Sequence, residues 1–173
     1  MACSWLITYA SSWSLILRGL GSGADDAFDA AGSLWIGDDL EHSIFTFTAA
    51  QLAAPGPVTG RRVLGVLNGL NNPTGLAFDG AGNLWIANVG GDNVVSFTPA
   101  QLEAAQPRAP NVVLASANGS LALPVGLAFD ARGHLFVTNI GKPYQAVHEF
   151  GPDEKLIQTF GKEDELDFPN GVS

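Results

Sequence analysis

Side-chain oxygens recur at corresponding places along this chain. The segments "LWIGD", "LWIAN" and "LFVTN" end on Asp38, Asn88 and Asn139, about fifty residues apart. A second series lies in the triplets "PTG", "PVG" and "PNG", whose middle residues are Thr74, Val125 and Asn170, with Ala24 at the matching place upstream. Gathered on one rim of a ring, such amide and carboxylate oxygens would suit a hard cation such as calcium, which takes roughly six to eight oxygen ligands. Asp25 and Asp26 stand where the later copies have Gly and Leu, and with Asp38, Asp39 and Glu41 they make that region acidic. The metal candidates are therefore Asn170, Asp38 and Asp25, and the ligand-binding candidates are Thr74, Asn88, Asn139 and Asn170. A structural reading competes with this one. Asn often ends strands because its amide bonds to local backbone and tolerates turn geometry, and Val125 offers no side-chain ligand atom.

Other chemistries find little support. The chain contains no nucleophile elbow, phosphate-binding loop, H-E-x-x-H or dinucleotide fingerprint. His42, His134 and His148 have no partner that repeats with them, so a surface or packing role outweighs a catalytic dyad. Cys3 is the single cysteine, which excludes an internal disulfide framework and a cysteine-based zinc site. Lys and Arg number 8 against 17 Asp and Glu, a net charge of −9. That balance repels nucleic acid and anionic membrane and suits cations or neutral ligands. The uncharged start, through "WLITY" and "SLIL", is interrupted by serines and lacks both the length of a membrane span and the basic start of a secretory signal. Asn118, Gly119 and Ser120 fit a glycosylation sequon, a triplet that arises often by chance.

The elements that must position these residues are repeats. "FDAAGSLWIGD", "FDGAGNLWIAN" and "FDARGHLFVTN" are near copies, and "SIFTFTAAQL" and "NVVSFTPAQL" repeat downstream of the first two. A period in this range marks solenoids, propellers or arrays. Within a unit, "GLAFD" and "NLWIAN" read as two strands joined by a tight turn, with Gly82 at positive φ. A third strand follows at Val94 to Phe97 and a fourth at Val112 to Ala115. The repetition of Asp29, Asp79 and Asp130 at the turn indicates a structural device. Trp35, Trp85 and Phe136 occupy equivalent strand positions and are expected to pack between units. Gly75 and Ala77 would allow neighbouring sheets to approach closely. Thr48 and Thr98 each precede a Gln by three residues, a capping-box pattern for a short helix, with Pro99 at the first helical position.

These features predict an all-β chain: a partial β-propeller of about three four-stranded blades with partial blades at both ends. The expected divisions are 1–24 as outer strands of a preceding blade, then blades near 25–70, 71–121 and 122–168, with the start of another at 169–173. Both ends fall inside repeats, so the chain reads as a piece of a longer propeller, with association of copies as the alternative.

The P-x-G-L-A-F-D, G-x-L-W-[IV]-[AT]-N and V-x-x-F pattern resembles NHL-repeat β-propellers, and "HEFGPDEKLIQTFG" is similar to that family's third and fourth strands. It also resembles the wider six-bladed superfamily of gluconolactonase and senescence-marker-protein-like propellers. That resemblance implies either a scaffold binding a protein, glycan or small-molecule ligand, or part of a calcium-dependent lactonase- or esterase-type hydrolase. In the hydrolases the metal ligands include an Asn in an Asn-Gly pair, which Asn170 matches and Thr74 and Val125 do not. An extracellular or periplasmic setting is what the resemblance implies for localisation.

Overall fold

The computed structural model describes residues 25–115, 121–141 and 145–161, together with Leu166 and Pro169. Ala24, the sequon at 118–120 and Asn170 lie outside the described residues, as do the N-terminal segment 1–24 and the final residues 170–173.

Three four-stranded antiparallel sheets follow one another along the chain. Blade one comprises β1 (Asp26–Phe28), β2 (Leu34–Asp38), β3 (Ser43–Phe47) and β4 (Arg61–Leu64), with helix α1 (Ala49–Ala53) between its last two strands. Blade two comprises β5 (Pro73–Phe78), β6 (Leu84–Asn88), β7 (Asn93–Phe97) and β8 (Val112–Ala115), with α2 (Pro99–Glu103) in the same connection. Blade three comprises β9 (Pro124–Phe129), β10 (Leu135–Asn139), β11 (Ala146–Phe150) and β12 (Leu156–Phe160). Every strand pairs with its sequence neighbour, and the first strands of successive blades pack side by side. The architecture is a partial all-β propeller. β1 spans three residues where β5 and β9 span six, which is the outcome expected where Asp25 and Asp26 replace an apolar pair.

The turn between first and second strands explains why its sequence repeats. Asp79 Oδ1 accepts the backbone N–H of Ala81 and of Asn83, both at 2.9 Å. Asp79 Oδ2 accepts the Asn83 side-chain amide at 2.8 Å and the Trp85 indole N–H at 2.9 Å. Gly82 completes the turn at φ 81°, a left-handed conformation that costs a side-chain-bearing residue about 1 kcal/mol or more. Asp29 repeats the arrangement with Ala31, Ser33 and Trp35. In blade three Phe136 has no N–H to offer, and the Arg132 guanidinium takes the vacant oxygen of Asp130 at 2.8 Å.

The two second-strand tryptophans then pack forward onto the next blade. Trp35 meets Phe78 edge-on at 5.7 Å between ring centroids, and Trp85 meets Phe129 in the same way at 5.8 Å. Such pairs add about 0.5–1.5 kcal/mol beyond the area they bury. Around them sit two apolar clusters, one in each seam between blades. Gly75 lies where a Cβ would run into the Val125 carbonyl and the Gly126 backbone, so the close approach of β5 and β9 requires its missing side chain. Both helices carry the capping box expected of them, Thr48 with Gln51 and Thr98 with Gln101, and Pro99 opens α2.

Candidate functional site

The start of each first strand and the end of its second strand meet on one rim. Pro73 pairs with Asn88 and Pro124 with Asn139 across irregularities in the ladder, so the two oxygen-bearing series do share a face. The hairpins that join second to third strands and the connections that join blades leave from this same rim.

Proximity does not make the oxygens converge on a common point, because most are held by backbone. Asn88 is 1% exposed. Its Oδ1 accepts the Asn71 backbone N–H at 2.6 Å, and its amide donates to the Gly69 carbonyl at 3.2 Å and to Asn93 Oδ1 at 2.9 Å. Buried Asn139 repeats the first of these, accepting the Ala122 backbone N–H at 2.6 Å. Asp38, also buried, accepts the backbone N–H of Leu40 at 3.1 Å and of Glu41 at 2.9 Å. The three side chains thus pin the loops of their own rim. Thr74 donates its hydroxyl to the Val125 carbonyl of the next blade at 3.1 Å, joining the two P-x-G triplets directly.

Asp25 differs from the others in its exposure to solvent. Its carbonyl accepts the Gly37 N–H at 3.1 Å and its carboxylate accepts the backbone N–H of Asp26 at 2.9 Å. Partial desolvation, and after it the charge of Asp26, raises its carboxyl above the ordinary value against the hydrogen bonds from Asp26 and Leu76 that lower it. Asp39 carries a buried Oδ1 with no hydrogen-bond partner among the described residues. Among the described residues no three His, Cys, Asp or Glu side chains cluster as metal ligands would. The described donors therefore do not by themselves fit a calcium centre, and Asn170 lies outside the described residues.

Two residues that sequence reasoning left unassigned complete the rim. His42, at φ 51°, accepts the Asn72 backbone N–H on Nδ1 at 2.8 Å. Asp92, at φ 48°, accepts the Leu123 backbone N–H on Oδ1 at 2.8 Å. Each ties the second hairpin of one blade to the opening of the next, and the donor residues Asn72 and Leu123 are themselves left-handed, at φ 57° and 55°. The repeat carries the signal, since His42 and Asp92 occupy the same place in consecutive units, but their different chemistry hides it.

A separate polar cluster lies on the forward face of blade three. Buried Glu149 receives His134 Nδ1–H at 2.6 Å and the Gln158 amide at 2.6 Å, with Arg132 at 3.8 Å. Hydrogen bonds from His134 and then Gln158 hold its carboxyl below the usual range. Its counterparts in the other blades are Thr46 and Ser96, beside the two tryptophans. Phe136, with no further described blade in front of it, stacks on Phe160 of its own outer strand at 6.4 Å.

No family model and no curated protein matches the sequence. Solved structures do match the fold. A nidogen/laminin complex aligns with TM-score 0.61 at 20% identity, over 83% of this chain and 48% of that one. A putative gluconolactonase aligns with TM-score 0.60 at 18% identity, over 81% and 47%. Virginiamycin B lyase from Staphylococcus aureus aligns with TM-score 0.55 at 15% identity, over 84% and 41%. The chain thus spans less than half the length of each of these propellers. Among the described residues no helix is long and apolar enough to cross a membrane.

Proposed function

We propose that this propeller segment is a binding scaffold, and that the loops of the asparagine rim are its contact surface for a protein partner. One observation carries the reading. The rim's polar side chains turn inward to hold backbone, while Leu40, Val66, Leu67 and Leu123 on its loops stay exposed, Leu40 and Leu67 to 73% and 82%. Exposed apolar side chains on rigid loops fit protein recognition better than glycan recognition. Asp39, Glu41 and Asp92 on the same loops favour a partner with basic groups around an apolar patch. A propeller among the fold matches, in the nidogen/laminin complex, binds a protein partner. The test compares the proteins retained by the wild-type chain with those retained by Leu40→Asp and Leu67→Asp, which replace exposed side chains and should leave the melting temperature unchanged. A binder lost from both variants supports the proposal. Retention of every binder by both overturns it.

A calcium-dependent lactonase or esterase is the second reading. It draws on the buried Asp39 Oδ1, which has no partner among the described residues, on Asn170 in "PNG", and on the likeness to a putative gluconolactonase. It requires stabilisation by millimolar calcium together with turnover of a lactone or aryl ester. A concentration-dependent dimer mass would instead indicate association through the outer blade faces.

A further inference from the structure

The two seams between blades can be compared with one another on the rim opposite the asparagines. In the first seam, Trp35, Leu64, Phe78, Leu84 and Phe97 pack around Leu102, which α2 delivers from blade two. Leu102 is 4% exposed and closes that seam. Its counterpart in α1, Leu52, lies against the apolar cluster on the back of blade one.

Blade three has no such helix. Its β11–β12 connection is the turn Gly151 to Lys155, closed by the Gly151 N–H on the Lys155 carbonyl at 2.9 Å and the Glu154 N–H on the Gly151 carbonyl at 2.9 Å. Five residues cannot carry the helix and its return, so no described residue takes the place of Leu102. The counterparts Trp85, Leu114, Phe129, Leu135 and Phe150 consequently line a cavity of about 200 Å³ in the second seam. Exposure agrees: Phe150 and Leu114 are 7% and 8% exposed, where Phe97 and Leu64 are 0% and 2%.

The cavity's polar lining is acidic. Asp79 and Glu154 are its two carboxylates, and among the described residues no cation lines it. Lys155 and Arg132, each next in sequence to a lining residue, are engaged by Asp153 and Asp130, both at 2.8 Å. Asp79 is already saturated by donors and contributes its field, whereas among the described residues no ion pair engages Glu154. An apolar cavity of about 150 Å³ holds a benzene ring, and an ammonium beside an aromatic face gains cation–π attraction as well.

We propose that this seam is a binding site for a small apolar amine, a single ring or a leucine-sized branched chain bearing one ammonium group. The ring or branched chain occupies the space that Leu102 fills in the first seam, and the ammonium lies between Glu154 and the field of Asp79. The site is distinct from the asparagine rim and independent of the function proposed for it.

The test uses benzylamine, benzyl alcohol and benzoate as probes of the full chain. Binding is followed on the indole N–H resonances of Trp85 and Trp35, assigned with Trp85→Phe and Trp35→Phe. Benzylamine is expected to shift the Trp85 signal and leave that of Trp35 in place. Benzyl alcohol should bind about fivefold more weakly, as suits one partly screened ion pair, and benzoate should bind least. Glu154→Gln should bring the amine close to the alcohol. Replacing residues 151–155 with residues 98–110 restores the plugging leucine and should abolish binding; Glu154→Gln and the two indole signals keep the test decisive if that graft fails to fold. Equal shifts at both indoles, equal affinity for the three probes, or no shift at all would overturn the proposal.

Discussion

Removing the Asp79 carboxylate provides a quantitative test of the repeat's architecture. Four donors converge on it: two backbone N–H groups of the turn, the Asn83 amide and the Trp85 indole. In Asp79→Ala the turn amides and Asn83 can turn to water, at a net loss of about 0.5–1 kcal/mol each after screening. The indole, packed against Phe129, loses its fixed partner, which adds about 1–2 kcal/mol. The total is about 2.5–5 kcal/mol, a fall in Tm of about 5–20 °C for a chain of this size. Thermal unfolding followed by circular dichroism reads it directly. Asp130→Ala is the internal control: Phe136 has no N–H to orphan and the exposed Arg132 can find water, so its Tm should fall distinctly less. A change below about 2 °C for Asp79→Ala, or an equal fall for Asp130→Ala, would refute the idea that the turn carboxylate matters because it holds the interblade tryptophan.

Stability should also depend on acid in a defined direction. For Asp29 and Asp79, partial burial raises the carboxyl, but donors led by the tryptophan indoles outweigh it and bring it below the ordinary value; Asp130, with His134 N–H as the main donor, falls to about 2. A depressed carboxyl stabilises the fold fully above its unfolded value and loses that contribution as pH falls through the folded one, so denaturant titrations should show a steep loss from about pH 4 towards pH 2. Asp25 has the opposite sign, so Asp25→Asn should raise Tm at neutral pH and lose that advantage in acid. Gly75→Ala should cost about 1–3 kcal/mol because its Cβ meets backbone of blade three. Gly80→Ala meets nothing within 4 Å and should leave Tm unchanged. Leu102→Ala should cost about 2–5 kcal/mol by opening in the first seam the cleft already present in the second.

The blade architecture was readable because it is periodic. Recurrence of Asp29, Asp79 and Asp130 before a glycine indicated a turn, and the structure supplies the reason: in each blade one carboxylate oxygen accepts two backbone N–H groups of the turn. The capping boxes at Thr48 and Thr98 were readable because their donors and acceptors lie within one helical turn. What escaped depends on contacts between units. Nothing local to Thr74 shows that its hydroxyl meets the Val125 carbonyl, and nothing local to His42 or Asp92 points to the backbone of the following blade. Asn88 and Asn139 were correctly placed on one rim, but the sequence left open whether their oxygens served a ligand or their own loops. The second-seam cleft required a side-by-side comparison of two seams, since the short turn "GPDEK" is unremarkable alone.

The central claim is that the rim oxygens hold loops in place for a partner and do not assemble a metal centre. It is tested most directly by the Tm of the wild-type chain and Asn88→Ala, each measured with and without millimolar calcium. Asn88→Ala strips the Asn71 N–H and Gly69 carbonyl of a buried partner, so Tm should fall by about 6–12 °C, the equivalent of about 3 kcal/mol. The account predicts the same fall in both conditions and no effect of calcium on the wild type. A wild-type Tm that rises with calcium, and a rise that Asn88→Ala abolishes, would contradict it.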